Sequence, residues 1–549
     1  MKVYYKKEIR NQSLLLLILL LTVLSFSSGC KKFLEPAPKD VVLESNFPKS
    51  YWDAEFLLRG TYQALQPLVE YQFILGEMRG DWVTPGSGAN DDILQLANEK
   101  VTGDNKYTEW QPYYDLINRA NYLISIINKV PLDSTYFSTT TRAQYVGEAR
   151  FLRCWGYFQL VENFGSVPFV WSAIDDISKV DTLYNIPPSS EDLILDSIEV
   201  DLNRAYSETD SRIYVPNSFD AGLRESYTTD QLRVRKQSVC ALQAEVYLWR
   251  NKYNDALNAC KNYNLIQGLP GGMNASWMNV FSNIPDVYAQ EPLIRVEFSF
   301  SARETNSLMM LTSNDPASGG KYMVAPSMVA MKAYDPSYPN SISKSNLDNE
   351  LYRGFGYSFA GSAPYYNRLN SDPVIWKFIG LGAVAPDTVN VSPTVRAPYQ
   401  SDFSFYLYRC ADVSLLWAEA ANRTGDKATA ISQINGVRGR VGMPNATVAT
   451  TSEDSISVNS STEKIEDYIL RERGLELGFE GKRWFDLMRF SRHRGTPTSP
   501  DINYLVSHVI QRVSDDEKAG VTSILSDTKN WYLPYNNKEV QLNPSLKNN

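Results

Sequence analysis

Two stretches of this 549-residue chain restrict its fold more than anything else in it. Val239 to Arg250 reads VCALQAEVYLWR, turns at Asn251-Lys252, and resumes at Tyr253-Asn254-Asp255-Ala256-Leu257. Leu415 to Arg423 reads LLWAEAANR, turns at Thr424-Gly425-Asp426, and continues as KATAISQINGVRGR. Each looks like a tetratricopeptide-type helical hairpin, with small Ala at the crossing and Tyr or Leu alongside. Such a pair cannot bury its apolar faces alone, so it must stack on further helices. The expectation is a mainly α fold: a tetratricopeptide-like helical-hairpin scaffold (α/α superhelix) with long irregular loops and a few short strands. A 43% hydrophobic share supplies the core, and 30 Gly with 28 Pro are too few for a collagen or low-complexity chain.

Helical periodicity recurs outside the hairpins. It predicts helices over 51–69, over 116–130 (ended by Pro131), and over 144–164 before Gly165 and Pro168. Another is predicted over 191–206, entered through Pro187-Pro188-Ser189-Ser190. Asn264 to Phe405 reads differently, rich in Gly, Pro, Ser, Asn and Tyr, with a short strand expected at Leu293 to Phe298. Asp81 to Asn105 is a second irregular stretch. Long loops on a helical scaffold are binding loops more often than linkers.

The first residues stand outside the fold. Lys2, Lys6, Lys7 and Arg10 precede the apolar run Leu14 to Leu24, too short to span a bilayer but suited to a secretory signal. The run leads to Ser27-Ser28-Gly29-Cys30, similar to a bacterial lipobox, in which Cys30 becomes the lipidated N-terminus. The expected organisation is a leader at 1–29, a lipidated tether at 30–45 carrying Pro36 and Pro38, a helical part at 46–263, and a part at 264–549 that bears the binding loops within the same compact body. The formal charge is −8; loss of residues 1–29 leaves 50 basic and 61 acidic residues, net −11, which argues against a nucleic-acid partner. Cys154, Cys240, Cys260 and Cys410 lie in apolar helical runs and read as buried free thiols.

Candidate chemistry is sparse. His493 and His508 are the only histidines, which weighs against a multi-His metal centre or a histidine relay. No cofactor is implied: Walker, G-x-G-x-x-G, H-E-x-x-H and EF-hand patterns are absent. Ser341-Ile342-Ser343-Lys344 matches S-x-x-K, but S-D-N and K-T-G do not accompany it. Glu472, Glu476 and Glu480 would stack along one helical stripe and could serve glycoside hydrolysis. Arg471, Arg473, Lys482 and Arg483 interleave them, however, and cations hold carboxylates ionised, so a salt-bridged scaffold is expected. Aromatic rings among polar loop residues suit a sugar, whose C–H face lies on a ring while its hydroxyls meet polar groups. On that basis Asp81, Trp82, Asn90 and Asp91 in the first loop, and Trp277, Tyr288, Arg303 and Asn306 in the middle region, are the glycan-binding candidates. Trp110, Trp155, Trp417 and Trp484 fall in helical runs and are expected in the core.

Five stretches together resemble the SusD/RagB family of outer-membrane nutrient-binding lipoproteins of Bacteroidota. They are Cys30-Lys31-Lys32-Phe33-Leu34-Glu35 with its tether; Gly147-Glu148-Ala149-Arg150-Phe151-Leu152-Arg153 through Phe164-Gly165-Ser166-Val167-Pro168; and Tyr408-Arg409-Cys410-Ala411-Asp412-Val413 on to Ile434-Asn435-Gly436-Val437-Arg438. The last two are Arg471 to Leu487 and the end, Leu542-Asn543-Pro544-Ser545-Leu546. The resemblance implies one α-rich body with a glycan-binding loop face, a lipid anchor at Cys30, a place at the outer membrane facing outward, and a SusC-like TonB-dependent transporter as partner. It implies a binding protein and not an enzyme. A secreted carbohydrate-active enzyme using paired carboxylates, and a helical-repeat adaptor for proteins, are the alternatives from other classes.

Overall fold

The computed structural model describes residues 47–133, 135–174, 185–211, 232–266, 280–281, 291–334, 353, 359–360, 372–380, 396, 401–449, 454–496 and 498–546. The first helices are α1 (Tyr51–Gln63) and α2 (Gln66–Glu77), where the sequence suggested one. Pro67 sits in the first turn of α2. Its missing N–H costs nothing there, whereas inside a continuous helix its ring would clash with the preceding turn. The chain then forms strand β1 (Val83–Pro85), helix α3 (Asp91–Ala97) and helix α4 (Gln111–Ile126). Helix α5 (Thr139–Phe164) starts earlier than periodicity indicated, because Ser138 caps it by accepting from Thr141 N–H. It stops at Gly165, whose φ of 69° reverses the chain. Helix α6 (Glu191–Glu208) follows its Ser190 cap.

Both hairpins form. The first is α7 (Lys236–Trp249) with α8 (Tyr253–Leu265). Strand β2 (Pro292–Val296) and strand β3 (Val324–Pro326) follow. Strand β4 (Phe405–Arg409) runs straight into the second hairpin, α9 (Cys410–Arg423) and α10 (Lys427–Arg440). Helix α8 packs on α9, so the two hairpins stack as their unburied faces require. Helices α4, α5, α6 and α7 continue the series by successive pairwise packing. Helices α11 (Thr462–Leu477), α12 (Arg483–Arg494) and α13 (Ile502–Val509) close it, with α12 returning against α2. Among the described residues the strands make two-stranded antiparallel pairs: β1 with β3, β2 with β4, 167–168 with 188–189, and 359–360 with 374–375. The fold is therefore mainly α, as expected.

One large apolar cluster draws on the helices before and after residue 264 alike, and it includes Trp110, Trp155 and Trp484; Trp417 packs against its edge, partly exposed. Cys154, Cys240, Cys260 and Cys410 are buried thiols that form no disulfide. Through this core runs a layer of charge. Arg409, where β4 meets α9, binds Glu291 at 2.6 Å, Glu480 at 2.9 Å and Glu476. Arg353 binds Glu472 at 2.6 Å and Glu476 at 3.0 Å, while Arg438 reaches Glu472 at 3.1 Å. Arg473 bridges Asp412 and Asp486 at 2.9 and 2.8 Å. All these groups are buried, so ion pairing replaces lost hydration and fixes how strands and helices meet.

Candidate functional site

Polar side chains gather where α2 begins. Gln63, Gln66, Pro67 and Glu70 face Asp115 and Arg119 of α4 across an open cleft of about 600 Å³. The third wall is the segment after β2, with Phe298, Arg303, Glu304, Thr305 and Ser307. Gln66 Nε2 donates to the Glu297 carbonyl at 2.9 Å, tying α2 to that wall. The wall is a tight turn: Glu304 Oε2 accepts from Ser299 N–H at 3.1 Å, and Glu304 N–H donates to the Ser299 carbonyl at 2.9 Å. Phe298 is half-buried and packs against the large core.

Charge in the cleft is mostly spoken for. Arg119 pairs with Asp115 at 3.1 Å and donates to the Gly60 carbonyl. Burial pushes the Glu70 carboxyl up, but hydrogen bonds from Lys106, Ser307 and Tyr107 outweigh it and hold Glu70 below its ordinary value. Arg303 is the exception: it is exposed, and no carboxylate among the described residues pairs with it. Its φ of 62° is unusual for a residue with a Cβ. The arrangement offers guanidinium and amide donors, carbonyl and carboxylate acceptors and one ring, which suits a polyhydroxylated ligand.

The predicted residues divide sharply. Arg303 lines the cleft. Asn306 is buried behind it and donates to the Phe403 carbonyl, while its Oδ1 accepts from Leu308 N–H. It braces the wall from behind. Asn90 caps α3 by accepting from Ile93 N–H, and Asp91 accepts from Gln95; both are exposed on the first loop. That loop connects to the cleft through Asp92, which accepts from Lys106 N–H, and Lys106, which binds Glu70 at 2.6 Å. Asp81 and Trp82 need correction. Asp81 is buried in a two-bond pair with Arg483, at 2.6 and 2.9 Å. Burial raises its carboxyl, yet Arg483 prevails and holds it below the ordinary value. Trp82 is 2% exposed and lies on Gly474 and Gly478, where any Cβ would overlap its ring at 2.4 and 2.7 Å. Tyr334 meets it edge-on at 5.3 Å. This ring is a core plug with no face left for a sugar. Trp277, Tyr288 and the Ser341–Lys344 motif lie outside the described residues.

Residues 32–248 match the family described as "Starch-binding associating with outer membrane", and residues 338–549 match the SusD family. The chain belongs to the SusD family. A SusD-like protein, P38, of Formosa agariphila is 29% identical over 520 residues, covering 88% of this chain and 92% of that one. A SusD superfamily protein from Bacteroides vulgatus superposes with a TM-score of 0.69 at 19% identity, over 91% of this chain and 98% of that one. A laminarin-binding SusD-like protein gives 0.63 at 18% identity, over 91% and 99%.

In this SusD family member the glutamate stripe is scaffold. Burial raises Glu472 and Glu480, but Arg353 and Arg438 for the first, and Arg409 and Lys377 for the second, hold both below the ordinary carboxylate value. An acid held ionised and sealed from solvent is unsuited to protonating a leaving group. Both histidines serve structure as well, His493 at the Leu248 carbonyl and His508 at the Tyr504 carbonyl. Sequence reasoning missed Phe298, Gln63, Gln66 and Glu70. The usable signal was local: two Gln flanking the helix break just before Pro67, and a Phe at the end of an expected strand.

Proposed function

We propose that this protein binds oligosaccharide in the cleft between α2, α4 and the 298–307 segment, without cleaving it, and delivers it to a SusC-like TonB-dependent transporter. The observation that carries the reading is the cleft: a guanidinium with no carboxylate partner among the described residues, and several amide and hydroxyl groups, around one half-buried ring, in a chain of the SusD family. The similarity to a laminarin-binding protein of this fold supports a glucan-type ligand as the first to try. The anchor is Cys30 and the location the outer membrane, facing outward. Among the described residues no helix is long and apolar enough to cross a membrane; in this reading the lipid on Cys30 makes the attachment.

The test is titration with laminarin and starch oligosaccharides, followed by chromatography of the recovered glycan. Saturable binding with unchanged chain length is expected; shortened product would favour the carboxylate-enzyme alternative. Extraction of native membranes in mild detergent should yield a complex well above the 62.1 kDa chain. Cys30→Ala should release the protein from those membranes.

A further inference from the structure

The start of α1 presents a group of large apolar side chains to solvent. Trp52 is 37% exposed and Phe56 65%, one turn apart on the same helical face. Beside them the turn between Val130 and α5 exposes Leu132 at 50% and Tyr136 at 36%. Tyr51 joins the two segments, its ring 5.1 Å from Trp52 and stacked 6.1 Å from Tyr136. Beneath lies a satellite core of its own, with Tyr51, Ala54, Leu58, Ile127, Val130 and Phe137, so the apolar group rests on a rigid base. Lys49, Arg59 and Lys129 stand exposed on the same two segments.

We propose that this face rests in the headgroup region of the membrane and holds the body at a fixed orientation on it. The idea builds on the anchor at Cys30 proposed above. What selects lipid as the occupant is where the chain comes from. Only sixteen residues lie between Cys30 and Phe47, the first described residue, and α1 begins four residues later. Even fully extended, a chain of that length reaches no more than about 60 Å. The lipid therefore makes this end of the body the one nearest its attachment point. The chemistry fits: Trp and Tyr favour the water–lipid boundary, and exposed Lys and Arg favour anionic headgroups. A lipidated cysteine and an apolar face together also make a two-signal attachment.

Trp52 reports on this directly. The lipidated full chain is reconstituted in phosphatidylethanolamine–phosphatidylglycerol vesicles whose acyl chains carry bromine near the headgroup. A bromine-quenched, blue-shifted component is expected, and Trp52→Phe should remove it. In a second arm the Cys30→Ala chain is sedimented with the same vesicles. It should bind weakly, about tenfold less so after Phe56→Ser with Leu132→Ser, and less on phosphatidylcholine alone. Equal quenching of the parent and Trp52→Phe overturns the proposal, as does iodide protection of Trp52 without bromine quenching, which would mean that protein covers the face. Failure of the anchor is read separately, as Cys30→Ala protein that stays in native membranes.

Discussion

Helix α2 runs from one electrostatic regime into another. At its start, Glu70 sits in an open cleft with Lys106, Ser307 and Tyr107 around it and is held ionised. Two turns on, Glu77 is buried; burial dominates over the N–H groups of Gly481 and Lys482 and pushes its carboxyl up to about 8. The arginines show the same contrast. Arg409 is sealed among Glu291, Glu476 and Glu480, while Arg303 stands in solvent with no carboxylate partner among the described residues. One set of residue types thus does two jobs. Where water is excluded, each charge is committed to one partner geometry and helps specify the fold. Where water enters, groups stay free to exchange hydrogen bonds with a ligand.

The contrast breaks most readily at Arg409. Arg409→Met leaves three buried carboxylates short of their shared cation, and uncompensated buried charge costs about 3–5 kcal/mol. Soluble yield and urea unfolding should both fall sharply. A variant that unfolded like the parent would mean the charge layer is not what holds β4 and α9 to α11. Trp82→Ala should be of similar size, about 3–5 kcal/mol, because it empties the space between Gly474, Gly478 and Tyr334. Thermal melting checks it, and glycan affinity of the folded fraction should be unchanged.

Acid and base should act oppositely on the two ends of this system. Asp412 is pulled down to about 2: burial raises it, but Lys482 and Arg473 prevail. Glu472, Glu480 and Asp486 are also lowered. Carboxyls with depressed values stabilise the fold above their unfolded values, about 4, and lose that contribution as pH falls toward 2. Glu77 works the other way. The folded chain keeps a proton that the unfolded chain releases above about 4, so its contribution worsens as pH rises toward 8. At about 1.4 kcal/mol per unit, the effect is a few kcal/mol. Glu77→Gln should therefore flatten the stability profile between those values while leaving the acid limb in place, as read by urea unfolding across pH.

How much of this could be read from the sequence follows from the range of each interaction. Hairpins α7–α8 and α9–α10 were legible because alanine spacing and turn residues are local. The scaffold role of Glu472, Glu476 and Glu480 was legible because Arg471, Arg473, Lys482 and Arg483 interleave them. Their actual partners were not, since Arg353 and Arg409 arrive from remote segments. Trp82 failed for the same reason: its polar neighbours suggested a platform, but the glycines that receive it lie about 390 residues further on. Asp81 likewise meets Arg483 only in the folded state. Arg303 was picked out as a polar residue near loop aromatics; that its aromatic neighbour on the cleft wall would be Phe298 was not visible.

The smallest expected effect is the most informative about function. Arg303 is exposed and has no ion pair among the described residues, so Arg303→Ala should change stability by less than about 0.5 kcal/mol. If a glycan occupies the cleft, the same change removes a donor at its mouth, and affinity should drop about tenfold, equivalent to about 1.4 kcal/mol. Phe298→Ala should weaken binding by a similar factor through loss of the ring, with a modest stability cost because only part of that side chain packs on the core. Arg303→Gly separates ligand contact from backbone strain. Glycine adopts a φ of 62° freely, so this variant should melt slightly higher than the parent and still bind about tenfold more weakly. Parent-like affinity in both Arg303 variants and in Phe298→Ala would move the binding site away from this cleft while leaving the charged core, and the contrast with it, untouched.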